Sequence, residues 1–521
     1  MLLVTANEMQ EMDQTTIHSF GIPGLVLMEN AGRGATKALL SKINAMDIKK
    51  IAVLAGRGNN GGDGFVMARY LLEKGYRVTA FLLAPKEAVK GDAQINLQLF
   101  EKLCDRSSAS SLVEIRTDAE LKANRSRLLH HDLFIDAVLG TGLNADLRGL
   151  IRESVELMNS SGKPVFSVDI PSGLNADTGK PMGTAVKAFA TATFAFAKAG
   201  HILYPGNLHT GELSIIDIGI PKFIAHEKNI QLSLIEQNEI AALFPPREFN
   251  SHKGSYGHLL VIAGSTGKTG AAALCTDAAM RCGTGLVTLG VPESLNPVLE
   301  GLVLEPMTHP LPENEPGFLS ENCLADILSL LKGKQALALG PGLGTREGTA
   351  KLVQKLVEQS PVPLVLDADA VNCLADDPDT LKRKTVPAIL TPHPGEMARL
   401  CRVSTRDVQA DRLGLARKFA SEWDVILVLK GAQTVIALPD GKAFINPTGN
   451  PGMASGGMGD VLTGMVAGFL AQGFSPEAAS LAGVYIHGLC ADVLSKQKGA
   501  FGFLARDMAQ IIPEIIFQHL L

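Results

Sequence analysis

The sequence predicts two α/β domains in tandem, each built on a parallel sheet. Three observations carry this expectation. Short apolar runs alternate with helix-like stretches along the whole chain, the pattern of βαβ units. The 521 residues exceed one ordinary domain of roughly 100–200 residues. One stretch, from Gly219 to about Asn250, interrupts the alternation with Pro221, Pro245 and Pro246 and shows no clear strand. The expected domains are therefore residues 1–220 and 221–521.

The first series of apolar runs is Ile51–Ala55, Val78–Leu83, Leu133–Leu139, Val165–Val168, Thr191–Phe196 and Leu213–Ile216. Helical patterns such as Gly64–Lys74 and Gly91–Leu103 lie between them, as a doubly wound sheet requires. Before them, Asn7–Ser41 reads as two helices broken at Gly21-Ile22-Pro23-Gly24. The second series is Leu259–Ala263, Leu286–Leu289, Ala336–Leu339, Leu364–Leu366, Ile389–Leu390, Val425–Leu429, Val435–Leu438 and Ala443–Ile445.

Composition excludes several classes. With 46% hydrophobic and 19% charged residues the chain can bury a large core and is not disordered. A net charge of -5 leaves no basic footprint, so neither nucleic acid nor an anionic membrane is an expected partner. Seven cysteines with no CxxC pair argue against a zinc ribbon or a disulfide framework. The first residues lack a basic n-region and an apolar core, so a cytoplasmic location is expected. The apolar stretch Val461–Phe474 is too short and too rich in glycine to span a bilayer.

The strand ends carry the chemistry. Strand Ile51–Ala55 runs into Gly56-Arg57-Gly58-Asn59-Asn60-Gly61-Gly62-Asp63-Gly64, where Gly56, Gly58 and Gly61 satisfy G-x-G-x-x-G before a helix. Such a turn seats a diphosphate on a helix N-terminus. A dehydrogenase would also need an acid at the tip of the second strand for the ribose; here that strand ends Ala84-Pro85-Lys86. Two further loops, Asp136–Asp146 and Val168–Gly173, should converge on the same sheet edge. There Asn60, Asp136, Asp169 and Ser172 offer hard oxygen ligands, suited to a hard cation rather than zinc. An N-cap or turn is the plain alternative for any one Asp.

These three loops resemble the YjeF N-terminal domain, the NAD(P)H-hydrate epimerase family, over roughly residues 1–220. The resemblance implies that Asn59, Asn60, Gly61, Gly62 and Asp63, with Gly140, Thr141, Gly142, Leu143, Asn144, Ala145 and Asp146, bind the hydrated nicotinamide nucleotide. It implies K+ at Asn60, Asp136 and Ser172. Asp169 would contact substrate and act as the acid/base group. Lys198 would either oppose its charge or stand solvated.

The second half holds a different anion apparatus. The run Asn450-Pro451-Gly452-Met453-Ala454-Ser455-Gly456-Gly457-Met458-Gly459-Asp460 leads into a helix, so backbone N–H groups gather beside one acid. In that position an Asp can remove a proton from an attacking hydroxyl while the amides neutralise phosphoryl charge. Loops Gly340–Gly344, Asp367–Ala370, Thr391–Glu396 and Lys430–Thr434 follow other strands. The Gly264–Gly270 loop mimics a Walker A motif without its spacing and is expected to face substrate. Together these motifs resemble the ADP-dependent NAD(P)H-hydrate dehydratase family, a ribokinase-like domain, over about residues 250–510.

By that resemblance Ala271, Gly344, His393 and Asp460 face the hydrate. Lys430, Gly431, Ala432, Gln433 and Thr434, with Asn450, Gly452, Ala454, Ser455, Gly456, Gly457, Met458 and Gly459, hold the adenine nucleotide. The expectation is a Rossmann-like epimerase (an isomerase) followed by a ribokinase-like dehydratase (a lyase), using ADP or ATP, Mg2+ and K+. A homo-oligomer is expected. The rival readings are a vitamin-precursor kinase fused to a nucleotide-binding domain, and a nucleotide-sensing scaffold without catalysis.

Overall fold

The computed structural model describes the whole chain, Met1 to Leu521. It divides into two compact units, Leu2–Ile230 and Gln231–Leu521, with Met1 joining the second. The break comes later than 220/221 because helix Lys222–Glu227 buries Ile224 and Ala225 against Val4, Met9 and Met12 of the first unit.

The first unit holds a seven-stranded sheet, all parallel. Strand Lys50–Ala55 lies between Arg77–Leu82 and Leu133–Ala137. Ser110–Glu114 continues one side; Val165–Val168, Ala190–Phe194 and Glu212–Ile216 continue the other. Ile51, Val53 and Ala55 pack with Phe65, Leu71 and Phe100 on one face, while Ala52 and Leu54 pack with Leu121, Leu128 and Val155 on the opposite one. A parallel sheet covered by helices on both faces needs this continuous apolar character. The strand order reverses between Lys50–Ala55 and Leu133–Ala137, and such a reversal opens a crevice at the carboxyl ends. Ser110–Glu114 has no apolar run to announce it, because an edge strand need bury only part of itself. A short parallel pair, Leu3–Val4 with Ala197–Lys198, ties the N-terminal segment beside Lys198.

The second unit holds a ten-stranded sheet. His258–Ile262 lies between Leu286–Pro292 and Ala336–Leu339, and Leu364–Leu366, Ala388–Leu390 and Ile426–Leu429 follow in parallel. Val435–Ala437 turns antiparallel, and so does Ala443–Ile445 against it. Contrary to expectation, the proline-bearing stretch contains a strand: Leu232–Leu234 pairs with Ala443–Ile445 as the last edge. At the other edge Met307–Leu311 accommodates Pro310, which an interior strand would not.

Helix Met458–Ala471 packs so closely on Thr269–Arg281 that a Cβ at Gly464 would lie 2.1 Å from the Cys275 carbonyl oxygen. Helix Pro476–Lys498 is long and apolar enough to cross a membrane by length and composition, and 67% of its most apolar window is buried in the fold. All seven cysteines are free.

Candidate active sites

In the first unit the turn after Lys50–Ala55 is shorter than the sequence suggests. Gly58 caps helix Asn59–Glu73, so Asn59 to Asp63 form its first turns rather than a loop. The three glycines do different things. A Cβ at Gly56 would sit 2.0 Å from the Val138 carbonyl oxygen, and one at Gly61 2.0 Å from that of Gly56. These two let the helix close onto the strand ends. A Cβ at Gly58 would meet nothing within 4 Å, which leaves the helix start open to a ligand.

A cavity of about 1250 Å³ opens there, larger than the ~300–1,000 Å³ of ordinary small-molecule pockets. Asn59, Asn60, Asp63, the Gly140–Asn144 loop, Asp169 and Lys198 line it. Asn60 is 8% exposed and neither atom of its amide has a hydrogen-bond partner. Buried polar atoms are nearly always paired, so an unpaired amide at a cavity wall marks a place for a ligand.

Asp136 lies deeper. Its carboxylate accepts from Ser167 Oγ at 2.8 Å, from Ser172 N at 2.8 Å and from Ser172 Oγ at 2.5 Å. Burial pushes its pKa up, opposed by these bonds and by a longer one from Val138 N at 3.4 Å, and no salt bridge reaches it.

Asp169 follows strand Val165–Val168 with φ 64°, a left-handed conformation that costs on the order of 1–3 kcal/mol for a residue other than glycine. Its Oδ1 accepts from Lys198 Nζ at 2.7 Å and from Thr193 Oγ1 at 3.3 Å. Its Oδ2 faces Gly140, where a Cβ would approach to 3.2 Å. Lys198 is not solvated: its side chain is 1% exposed. Burial works against the Asp169 anion, but Lys198 outweighs it and the pKa is lowered. Beside this pair His201 Nδ1 accepts from Lys198 N and Nε2 donates to the Asp169 carbonyl, and burial depresses the ring's pKa to about 3.

In the second unit Gly457, at φ 89°, caps helix Met458–Ala471 and places Asp460 in its first turn. Ala454, Ser455 and Gly456 are exposed before it. Below lies a buried hub. Asp367, after strand Leu364–Leu366, accepts from Thr391 Oγ1, Lys430 Nζ and Thr463 Oγ1, each at 2.7 Å. Burial, then repulsion from Asp367, raises the Asp460 pKa to about 6 against the pull of Lys430. A carboxylate tuned there is a competent proton acceptor near neutral pH.

Comparison with known proteins agrees with this division. The family described as "YjeF-related protein N-terminus" matches residues 24–200, and the one described as "NAD(P)H-hydrate dehydratase" matches residues 259–514. The bifunctional NAD(P)H-hydrate repair enzyme Nnr of Moorella thermoacetica is 41% identical, covering 99% of this chain and 97% of that one. The chain belongs to the bifunctional NAD(P)H-hydrate repair enzyme family. The Escherichia coli member is 35% identical over 98% of this chain and 93% of its own. A solved ADP/ATP-dependent NAD(P)H-hydrate dehydratase from Bacillus subtilis, co-crystallised with ATP/Mg2+, is 34% identical, covers 55% of this chain and 98% of its own, and superposes with a TM-score of 0.49.

Some residues singled out by resemblance to this family are not part of the cavity lining. Gly61 and Gly62 pack inside the fold, Gly62 against Met28, and Ala145 and Asp146 are outside the cavity lining. Asp136 and Ser172 are bonded to one another behind the cavity wall.

In the second half of this family member, Ala271 stands on helix Thr269–Arg281 against Gly342, and Gly344 N donates to Asp369 Oδ2 at 2.8 Å. Asn450 Oδ1 accepts from Gly452 N, and Asp492 holds Asn450 Nδ2 at 2.9 Å. His393 Nδ1 caps helix Pro394–Cys401 by accepting from Gly395 N at 2.9 Å, while its Nε2 lies 3.3 Å from Glu396. The Lys430 ammonium is bonded to Asp367 and also lies beside the glycine loop, where a Cβ at Gly459 would meet it at 3.2 Å. Sequence reasoning missed Asp13, Thr463 and Asp492, and named Asp367 only as the start of a strand-end loop. Thr463 alone left a signal, a polar position within an apolar helix.

Proposed function

We propose that the first unit epimerises the hydrate of NADH or NADPH and that the second dehydrates the S epimer at the expense of ADP or ATP. Asp169 Oδ2, free of protein hydrogen bonds and turned to the cavity, is the base of the first reaction. Asn59, Asp63 and the Gly140–Asn144 loop seat the nucleotide on the open helix start. K+ fits Asn60 Oδ1, which lacks a partner, and would balance the buried charge of Asp136, with Ser172 as the third ligand residue. It would supply positive charge to the diphosphate.

In the second unit Asp460 takes the proton from the hydrate's hydroxyl, and that oxygen takes the transferred phosphoryl group. Phosphate then departs where hydroxide could not. The backbone N–H groups of Gly456–Gly459 neutralise phosphoryl charge. The nucleotide lies along the Lys430–Thr434 backbone and the Asn450–Gly459 run, with Ala271, Gly344 and His393 toward the hydrate. No group of three or more His, Cys, Asp or Glu is placed to hold a metal, so Mg2+ would come with the phosphates. The single observation that carries the reading is Asp460, the only acid in the first turn of a helix whose preceding loop is open.

The test is direct. Incubation with ADP and hydrated NADH should restore NADH absorbance to completion from a mixed pool of epimers. No absorbance gain would remove the dehydratase reading, and a plateau at the S fraction would remove the epimerase reading.

A further inference from the structure

Three acids that line the cavity of the first unit, Asp13, Asp92 and Asp177, are not used by the foregoing chemistry, and of these Asp13 is the one that feels Asp169 and Lys198. Asp13 stands near the end of helix Ala6–Gln14 and lines the cavity with Asp63, Asp169 and Lys198. Ala6, Gln10, Asp13 and Ile17 all line it, at the spacing of one helix face. That face is held in place. Thr5 and Glu8 form a capping box, Asp177 accepts from Ala6 N at 2.7 Å, and Met9 and Met12 bury against Val4, Ile224 and Ala225. Asp13 precedes residue 24, where the match to the N-terminal family begins.

Three carboxyl groups and one ammonium line this one cavity and act on one another electrostatically, and like charges that interact in this way cannot all ionise. Lys198 is bonded to Asp169, which is therefore the member kept ionised. Asp63 is pushed far upward by burial and then by Asp169 and Asp13. Burial, and repulsion from Asp169, lift Asp13 to about 6 against attraction from Lys198, with no hydrogen bond to hold its anion. His201, bonded to the Asp169 carbonyl, stays neutral, and Asp92, Asp177, Arg57 and Arg116 complete the titratable and charged lining of the cavity. Asp63 is almost wholly enclosed, whereas Asp13 is only partly buried and so can exchange its proton.

We propose that Asp13 is the general acid of the epimerisation, working opposite Asp169 as base. The inference rests on the reading of this cavity as the site of the hydrate. Water adds to the ring double bond at the carbon next to nitrogen, because nitrogen stabilises positive charge there. Inversion requires that C–O bond to break and reform on the other face. Asp13 gives its proton to the hydroxyl, the C–O pair leaves with water, and the nitrogen lone pair forms a C=N bond. A water on the opposite face adds to the carbon and its proton passes to Asp169 Oδ2. The C=N pair returns to nitrogen. One proton has moved from Asp13 to Asp169 and exchange with solvent resets both; the reverse conversion exchanges their roles. Two acids whose surroundings drive their protonation apart suit such a division.

The test uses the full chain, ADP and a mixed-epimer pool of hydrated NADH. The early phase reports dehydration of the S epimer and the late phase conversion of the R epimer, corrected for spontaneous exchange. For the intact enzyme the epimerisation kcat/KM should fall as pH rises through about 6, where Asp13 loses its proton. Asp13→Asn should slow the late phase on the order of 10²–10⁴-fold and abolish that limb, leaving the early phase unchanged. Asp13→Glu keeps an acid and should keep the limb. Asp13→Asn working within about two-fold of the intact enzyme, or a limb that persists in it, would overturn the assignment to Asp13 alone. So would a limb missing from Asp13→Glu. An intact enzyme that never converts the R epimer would overturn the reading of the cavity and this inference with it.

Discussion

Both units contain a buried lysine bonded to an aspartate at 2.7 Å, Lys198 to Asp169 in one and Lys430 to Asp367 in the other. The two pairs do opposite work, and the oxygens left over explain why. Asp169 uses one oxygen for Lys198 and Thr193 and keeps the second for the cavity. Asp367 spends both, on Thr391, Lys430 and Thr463, and ties three strand ends to one helix. The difference between the two pairs is that one leaves a whole carboxylate oxygen open to a cavity and the other leaves neither oxygen unbonded. In each unit an aspartate without a lysine of its own is lifted to about 6, Asp13 in the first and Asp460 in the second.

Removing the acceptor is the severest way to separate the two sites. Asp460→Asn should lower dehydration on the order of 10²–10⁴-fold while epimerisation continues, measured by loss of the R epimer without NADH recovery. Normal dehydration by the purified variant would place the base elsewhere.

A smaller effect tests whether Lys430 serves the hub or the nucleotide. Asp460 acts as an anion, so dehydration should fall as pH falls through about 6. Lys430 lowers that pKa, so Lys430→Met should move the limb to higher pH. ADP affinity by calorimetry should stay within about three-fold, because a single exposed charge contact is worth only ~1 kcal/mol or less and this ammonium already belongs to Asp367. A large loss of affinity with an unmoved limb would reverse the comparison.

The smallest effect concerns the buried charge that lacks a lysine, Asp136. KCl in place of a bulky organic chloride at equal ionic strength should raise the unfolding temperature of the first unit by about 2–4 °C, the response to ~1 kcal/mol in a domain of this size. Asn60→Ala should erase the difference. An equal K+ response in the variant would detach Asn60 from the ion.

Most strands were legible because a parallel sheet buried on both faces writes continuous apolar runs. Val165–Val168, Ala336–Leu339, Leu364–Leu366 and Ala443–Ile445 stand where the pattern places them. Three of the four edges of the two large sheets were not: Ser110–Glu114, Leu232–Leu234 and Met307–Leu311 bury too little to leave a run. The loops at the strand ends were legible as well, since glycine, asparagine and aspartate there serve close backbone approach and ligand chemistry that a core does not need.

The sequence by itself thus determined the two-part architecture, the loops that follow the strands of each sheet and the places of Asp169 and Asp460 at a strand end and a helix start. Only the tertiary structure decided which charges face one another. Asp13 lies far along the chain from Asp169, and Asp367 far from Thr463; their encounters depend on how helices are docked on a sheet. Ionisation follows from those encounters, because the energy of a buried charge is set by neighbours within a few ångströms and not by neighbours in sequence.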